Sequence, residues 1–138
     1  MSEKGSIDSV GAGSRQEVVF VVDDDDDVRR FVSHLLTNAG YEVLLAESAE
    51  EASNISEAFD GEIDALVMDI NLPDGFGATA AFRLREARPN MALVFITGFA
   101  KSDPVLAGGL NDAEFLVTKP FTADALLIEL KRAMNPGS

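Results

Sequence analysis

The 138-residue sequence predicts an α/β fold: five βα units, with a parallel sheet between two helical layers. Three observations lead there. Short β-branched or apolar runs alternate with stretches whose apolar residues recur every three or four positions. The first run, Val18 to Val22, is apolar without interruption, as in a strand covered on both faces. A polar or acidic residue follows each of the clearest runs, the usual place for a ligand-binding group in a parallel sheet.

The elements follow in order. Met1 to Glu17 reads as a flexible tail, rich in glycine and serine and poor in large apolar residues. The folded domain is expected at 18–134, with a short tail at 135–138. After the first strand, Val28, Phe31, Val32, Leu35, Leu36 and Ala39 form one helix face. Asp26 or Asp27 can cap that helix, and Gly40 suits the position past its end. Tyr41 to Leu45 is the second strand. Ser48 and Glu51 have capping-box spacing and open a helix that runs to about Phe59. Ala65 to Met68 is the third strand, ending at Asp69. Asn71 to Gly77 reads as a loop, marked by Pro73, Asp74, Gly75 and Gly77. A helix over Ala78 to Ala87 is closed by Pro89. Ala92 to Ile96 is the fourth strand and Phe115 to Thr118 the fifth. Asp103 and Pro104 can start a helix between them, but Gly108 and Gly109 weaken it, at about 0.8–1.0 kcal/mol each against alanine. Thr122 caps a final helix with Leu126, Leu127, Leu130 and Met134 on its apolar face.

Composition narrows the function classes. Eleven Lys and Arg stand against 24 Asp and Glu, a formal net charge of −13. That argues against nucleic acid or an anionic membrane surface as partner. Without cysteine there is neither a disulfide framework nor a thiol nucleophile, and one histidine excludes a multi-histidine metal centre. His34 falls between the apolar positions of the first helix and is expected at the surface. No long apolar run or N-terminal signal region is present, so a cytoplasmic location is expected.

The strand ends carry the chemistry. Asp23 and Asp24 follow the first strand, Asp69 and Asn71 the third, Thr97 and Gly98 the fourth, and Lys119 and Pro120 the fifth. Parallel adjacent strands would bring them to one edge. Three carboxylates resist joint ionisation unless a cation joins them, and a hard, oxygen-seeking ion such as Mg²⁺ fits. With an ammonium and a hydroxyl beside it, a carboxylate could accept a phosphoryl group. The bland alternatives are turn and cap roles for Asp69 and Asp25 to Asp27, and a solvated lysine. An EF-hand reading of the acidic run fails, because Val28 stands where the loop needs glycine and His34 where it needs glutamate.

Four segments in order, Val21-Val22-Asp23-Asp24, Met68-Asp69-Ile70-Asn71-Leu72-Pro73, Phe95-Ile96-Thr97-Gly98 and Thr118-Lys119-Pro120-Phe121, resemble the CheY-like receiver domain of response regulators. The resemblance covers about Val18 to Met134. It implies a flavodoxin-like sheet of order 2-1-3-4-5. It also implies that Asp69 is the phosphoacceptor, that Asp24 binds Mg²⁺ directly and Asp23 through water, and that Asn71 offers its carbonyl to the metal. Thr97 and Lys119 would bind the phosphoryl group, Pro120 would follow a cis peptide bond, and Asn71 and Phe99 would tune the lifetime of the phosphorylated state. The donor would be a histidine kinase or histidine phosphotransfer protein.

Departures from the family pattern concern activation. Leu116 stands where an aromatic switch residue is common, with Phe115 one residue earlier, and Phe99 is apolar where many members are polar. The expected activity is a single-domain response regulator, its output by protein contact or phosphate relay, because the chain stops soon after the last helix. One rival is a pseudo-receiver that never takes phosphate. Another is a Mg²⁺-dependent phosphohydrolase, disfavoured by Asn71 where a second acid is usual.

Overall fold

The structure, a computed structural model, describes residues 15–97, 115–119 and 121–135. Its main sheet has five parallel strands: β1 (Val18–Val22), β2 (Glu42–Ala46), β3 (Ala65–Asp69), β6 (Ala92–Thr97) and β7 (Phe115–Thr118), in the order β2-β1-β3-β6-β7. Counting only these five, the order is 2-1-3-4-5. The helices are α1 (Asp26–Asn38), α2 (Ala49–Ala58), α3 (Gly77–Ala87) and α4 (Ala123–Met134). The segment expected as a plain loop holds a two-stranded antiparallel ribbon, β4 (Asn71–Leu72) and β5 (Gly75–Phe76).

The alternation of side chains along each strand builds two cores. Phe20 and Val22 of β1, Leu66 and Met68 of β3, and Leu93 and Phe95 of β6 pack with Ala52 of α2 and Ala81 and Leu84 of α3. The intervening residues Val19, Val21, Val67, Val94 and Ile96 pack with Val32 and Leu36 of α1 and Leu126 and Leu130 of α4. All five residues of β1 are buried, as the uninterrupted apolar run requires of a central strand.

Several boundaries move. The α1 cap is Asp25, not Asp26 or Asp27: its carboxylate accepts from the N–H of Asp27 at 2.8 Å and of Val28 at 3.3 Å. Asp25 has the extended backbone a cap needs, with ψ of 115°, whereas Asp26 and Asp27 already lie within the helix. Gly40 does end that helix, at φ +100°, where a β-carbon would be strained. β2 begins at Glu42 rather than Tyr41 because its pairing starts opposite Val18. β3 and β6 each run one residue further, to Asp69 and Thr97. α3 starts at Gly77. Phe31, placed on the apolar face of α1, is 46% exposed and meets the Phe121 ring at 6.0 Å between centroids.

In α2 the Ser48 hydroxyl accepts from Glu51 N–H, and the Glu51 carboxylate reaches back to Glu47 N–H at 2.7 Å. Arg88 closes the other end of α2, donating to the carbonyls of Ser56 and Phe59 at 2.8 Å each. Arg15, inside the segment expected as a tail, pairs with Asp64 and Glu62. The carbonyl of Glu17 accepts from Glu42 N–H. His34 is exposed, as expected, and Phe95 is fully buried. The expected helix near Asp103, together with Phe99 and Pro120, lies outside the described residues. β7 pairs one-to-one with β6, Phe115 opposite Val94 and Leu116 opposite Phe95. The side chains of Phe115 and Leu116 also lie outside the described set.

Candidate functional site at the sheet edge

Strand register assembles the site. β1 and β3 are neighbours, with Val22 opposite Met68, so the next residues, Asp23 and Asp69, leave the sheet side by side. Asp69 pairs with Ile96 of β6, which places Thr97 one step beyond. Thr118 pairs with Thr97, and the Lys119 N–H donates to the Thr97 carbonyl at 2.6 Å. The structure thus brings Asp23, Asp24, Asp69, Thr97 and Lys119 to one edge. Asn71 follows at the start of the ribbon.

Burial differs sharply within the cluster. Asp23 is wholly buried, Asp69 is 4% exposed and Thr97 is buried, whereas Asp24 and Asn71 face solvent. Carboxylate oxygens of Asp23, Asp24 and Asp69 lie within 4.8 Å of one another. Lys119 Nζ stands 3.2 Å from Asp23 Oδ2 and 3.5 Å from Asp69 Oδ2. Asp23 Oδ1 accepts from Asp25 N–H at 2.9 Å. Asp23 Oδ2, in contrast, is buried without an aligned hydrogen bond among the described residues, and Lys119 Nζ is its charged neighbour.

These positions perturb both partners. Burial is the main force that raises the Asp69 pKa, to about 6; the Asp23 charge adds to it, while the Asn71 N–H at 3.0 Å and Lys119 oppose it. For Lys119, burial disfavours the ammonium, but the Asp23 and Asp69 carboxylates outweigh it and raise its pKa.

The donor set fits a hard divalent cation. Among the described residues, three carboxylates face one ammonium, which leaves a formal charge of −2. All the candidate ligands are oxygens, and the buried Asp23 Oδ2 has an unfilled acceptor site. Asp24 lies on the solvent side, where water could complete the shell of an ion such as Mg²⁺.

Two supporting residues have no part in the site as read from sequence. Arg29, only 14% exposed, donates to the Asp23 carbonyl at 2.6 Å and pairs with Asp26, so it holds the loop carrying the acidic pair. Gly77, expected only as a loop residue, is in close contact with the backbone of Asp69. A β-carbon on it would lie 2.0 Å from the Asp69 carbonyl oxygen. Its N–H donates to the Ile70 carbonyl at 2.6 Å. Its place eight residues after Asp69 and before an apolar helix was the available signal, and a turn glycine would look the same.

Comparison with known proteins identifies the family. Residues 19–131 match the model of the response regulator receiver domain. The sensor kinase CckA of Brucella abortus (strain 2308) is 33% identical over 123 residues, which cover 88% of this chain and 13% of that protein. The aerobic respiration control protein ArcA of Escherichia coli (strain K12) is 33% identical over 124 residues, covering 87% of this chain and 51% of that protein. The chain therefore spans about half the length of ArcA and a much smaller part of the kinase. Among solved structures, the Vibrio cholerae chemotaxis protein CheY4 superposes with a TM-score of 0.75 at 27% identity, covering 86% of this chain and 99% of that one. A CheY-like receiver domain protein from Methanospirillum hungatei JF-1 has the same TM-score at 26% identity, covering 88% and 96%. With the fold, the family match and these relatives in agreement, the chain belongs to the response regulator receiver domains of two-component signalling.

Proposed function

We propose that this domain accepts a phosphoryl group on Asp69 from a phosphohistidine donor, a histidine kinase or histidine phosphotransfer protein, with Mg²⁺ bound at the acidic edge. The observation that carries the reading is the buried Asp69 carboxylate at the centre of the cluster, beside Asp23 and within 3.5 Å of Lys119 Nζ. Asp69 Oδ1 is held by the Asn71 N–H, which leaves Oδ2 as the nucleophile. Oδ2 forms the O–P bond, and the donor's N–P bond breaks. The bonding pair stays on the imidazole nitrogen, which takes up a proton from solvent.

Asp24 and Asp69 would hold the ion directly through carboxylate oxygens and Asp23 through water, with the Asn71 carbonyl as a further ligand. When bound, Mg²⁺ supplies positive charge against the negative charge of the transferring phosphoryl oxygens. Lys119 moves from its two carboxylates to a phosphoryl oxygen, and the Thr97 hydroxyl donates to another. Water reaching the product past Asn71 hydrolyses it, so the domain catalyses both its own phosphorylation and its own dephosphorylation.

Output follows by contact with a partner protein or by relay of the phosphoryl group. The net charge of −13 favours protein surfaces with basic patches over nucleic acid. No described helix is long and apolar enough to cross a membrane. A cytoplasmic site of action belongs to the same proposal.

The test is intact-mass measurement after incubation with acetyl phosphate, with and without Mg²⁺, on the wild type and on Asp69→Asn. A phosphoryl adduct on the wild type alone, dependent on Mg²⁺, is expected. An adduct on folded Asp69→Asn, or none on folded wild type at any Mg²⁺ concentration, overturns the reading.

A further inference from the structure

The ribbon that follows Asp69 is too small to hold itself in place. It pairs only Asn71 with Phe76 and Leu72 with Gly75. An isolated two-stranded hairpin, even a longer one, is marginal in water. Its base is secured, because Leu72 is buried in the core and Gly77 N–H bonds the Ile70 carbonyl. Its tip, Pro73 and Asp74, faces solvent.

The tip is nevertheless tied. Asp74 Oδ1 accepts from the Ala49 N–H and Oδ2 from the Glu50 N–H, both at 3.0 Å. These are the first two N–H groups of α2, which no residue within the helix can satisfy. Ser48 supplies the acceptor for Glu51 N–H alone. One carboxylate 25 residues along the chain thus completes the N-terminal cap of α2 and anchors the ribbon. The two hydrogen bonds and the dipole of α2 hold Asp74 ionised, its pKa lowered.

At its other end the ribbon touches the site. Asn71 is its first residue, and the Asn71 N–H is the donor that orients Asp69 Oδ1 at 3.0 Å. We propose that Asp74 is a positioning residue: it clamps the ribbon to the first turn of α2 and thereby keeps the Asn71 N–H on the Asp69 carboxylate. The kinetic consequence rests on the phosphoacceptor reading of Asp69. Losing the clamp would free the tip, and the motion would reach Asn71 through its pairing with Phe76 across the ribbon, so that the Asp69 carboxylate would spend less time in its reactive orientation.

The experiment compares wild type, Asp74→Ala, Asp74→Asn and Ser48→Ala by residue-resolved amide hydrogen exchange and by phosphorylation with acetyl phosphate. Asp74→Ala is expected to speed exchange at Ala49, Glu50 and Asn71 by about fivefold, the factor a typical helix cap represents. It should lower the maximal phosphorylation rate by a similar factor and leave the half-saturating acetyl phosphate concentration unchanged. Asp74→Asn, with one acceptor oxygen left, should fall between. Ser48→Ala removes a cap from the same helix without touching the ribbon, so it should speed exchange at Glu51 and leave Asn71 and the rate alone. Unchanged exchange at Asn71 in Asp74→Ala would overturn the inference. So would equal losses of rate in Ser48→Ala and Asp74→Ala, because the effect would then be one of α2 stability. If wild type accepts no phosphoryl group, the phosphoacceptor reading fails, while Asn71 exchange still decides whether Asp74 clamps the ribbon.

Discussion

Replacing Asp69 by Asn should stabilise the metal-free protein. The carboxylate is 5% exposed and its pKa rises from 3.8 to about 6, with burial as the main cause. That value already includes the help it receives from Lys119 and the Asn71 N–H. A rise of roughly two units corresponds to about 3 kcal/mol of cost for carrying the charge in the folded state. The sign follows from proton binding. Between pH 4 and 6 the folded state binds more protons than the unfolded chain, so stability falls as pH rises through this window. Above pH 6 the full cost is present. Asn is near-isosteric, can still accept from Asn71 N–H, and carries no charge. Urea unfolding in EDTA should therefore show Asp69→Asn more stable than wild type by about 3 kcal/mol at pH 7.5, shrinking to about 1 kcal/mol at pH 4.5. For a domain of this size that is a rise in melting temperature of roughly 10 °C at neutral pH. Saturating Mg²⁺ should raise the stability of wild type and close most of the gap. A variant no more stable than wild type at pH 7.5, or a difference independent of pH, would refute the electrostatic account of this site.

Two further outcomes follow from the same geometry. Gly77→Ala places a β-carbon 2.0 Å from the Asp69 carbonyl oxygen, and the three nearest atoms, of Asp69 and Ile70, are all backbone with little room to yield. The expected cost is about 3 kcal/mol or more in chemical unfolding, with weaker Mg²⁺ binding in the folded fraction; a loss under about 1 kcal/mol would mean that α3 can shift freely. Lys119→Met removes the cation facing both Asp23 and Asp69. Calorimetric titration should find Mg²⁺ bound about tenfold more tightly, because the ion no longer meets an ammonium, while phosphorylation slows. Unchanged Mg²⁺ affinity would place the ion away from Lys119.

The local pattern of the chain determined much of this. The uninterrupted β-branched run Val18–Val22 reads as a strand covered on both faces, and it is the buried strand next to β2 and β3. Helix faces such as Val32 with Leu36 and Leu126 with Leu130 were readable because burial imposes a 3.6-residue period on sequence. The placement of Asp23, Asp69, Thr97 and Lys119 at strand ends was also legible, since a parallel sheet sends every such residue to the same edge. Tertiary structure decided the contacts made across the chain. Asp25, Asp26 and Asp27 could each cap α1 by sequence, and backbone conformation selects Asp25. Asp23 and Asp24 look alike in sequence, yet the fold buries one and exposes the other. Gly77 and Asp74 read as turn residues, because the Asp69 carbonyl and the α2 amides that give them meaning lie eight and about 25 residues away. Periodicity records which face of an element is covered; it does not record which atom of a distant element comes to rest there.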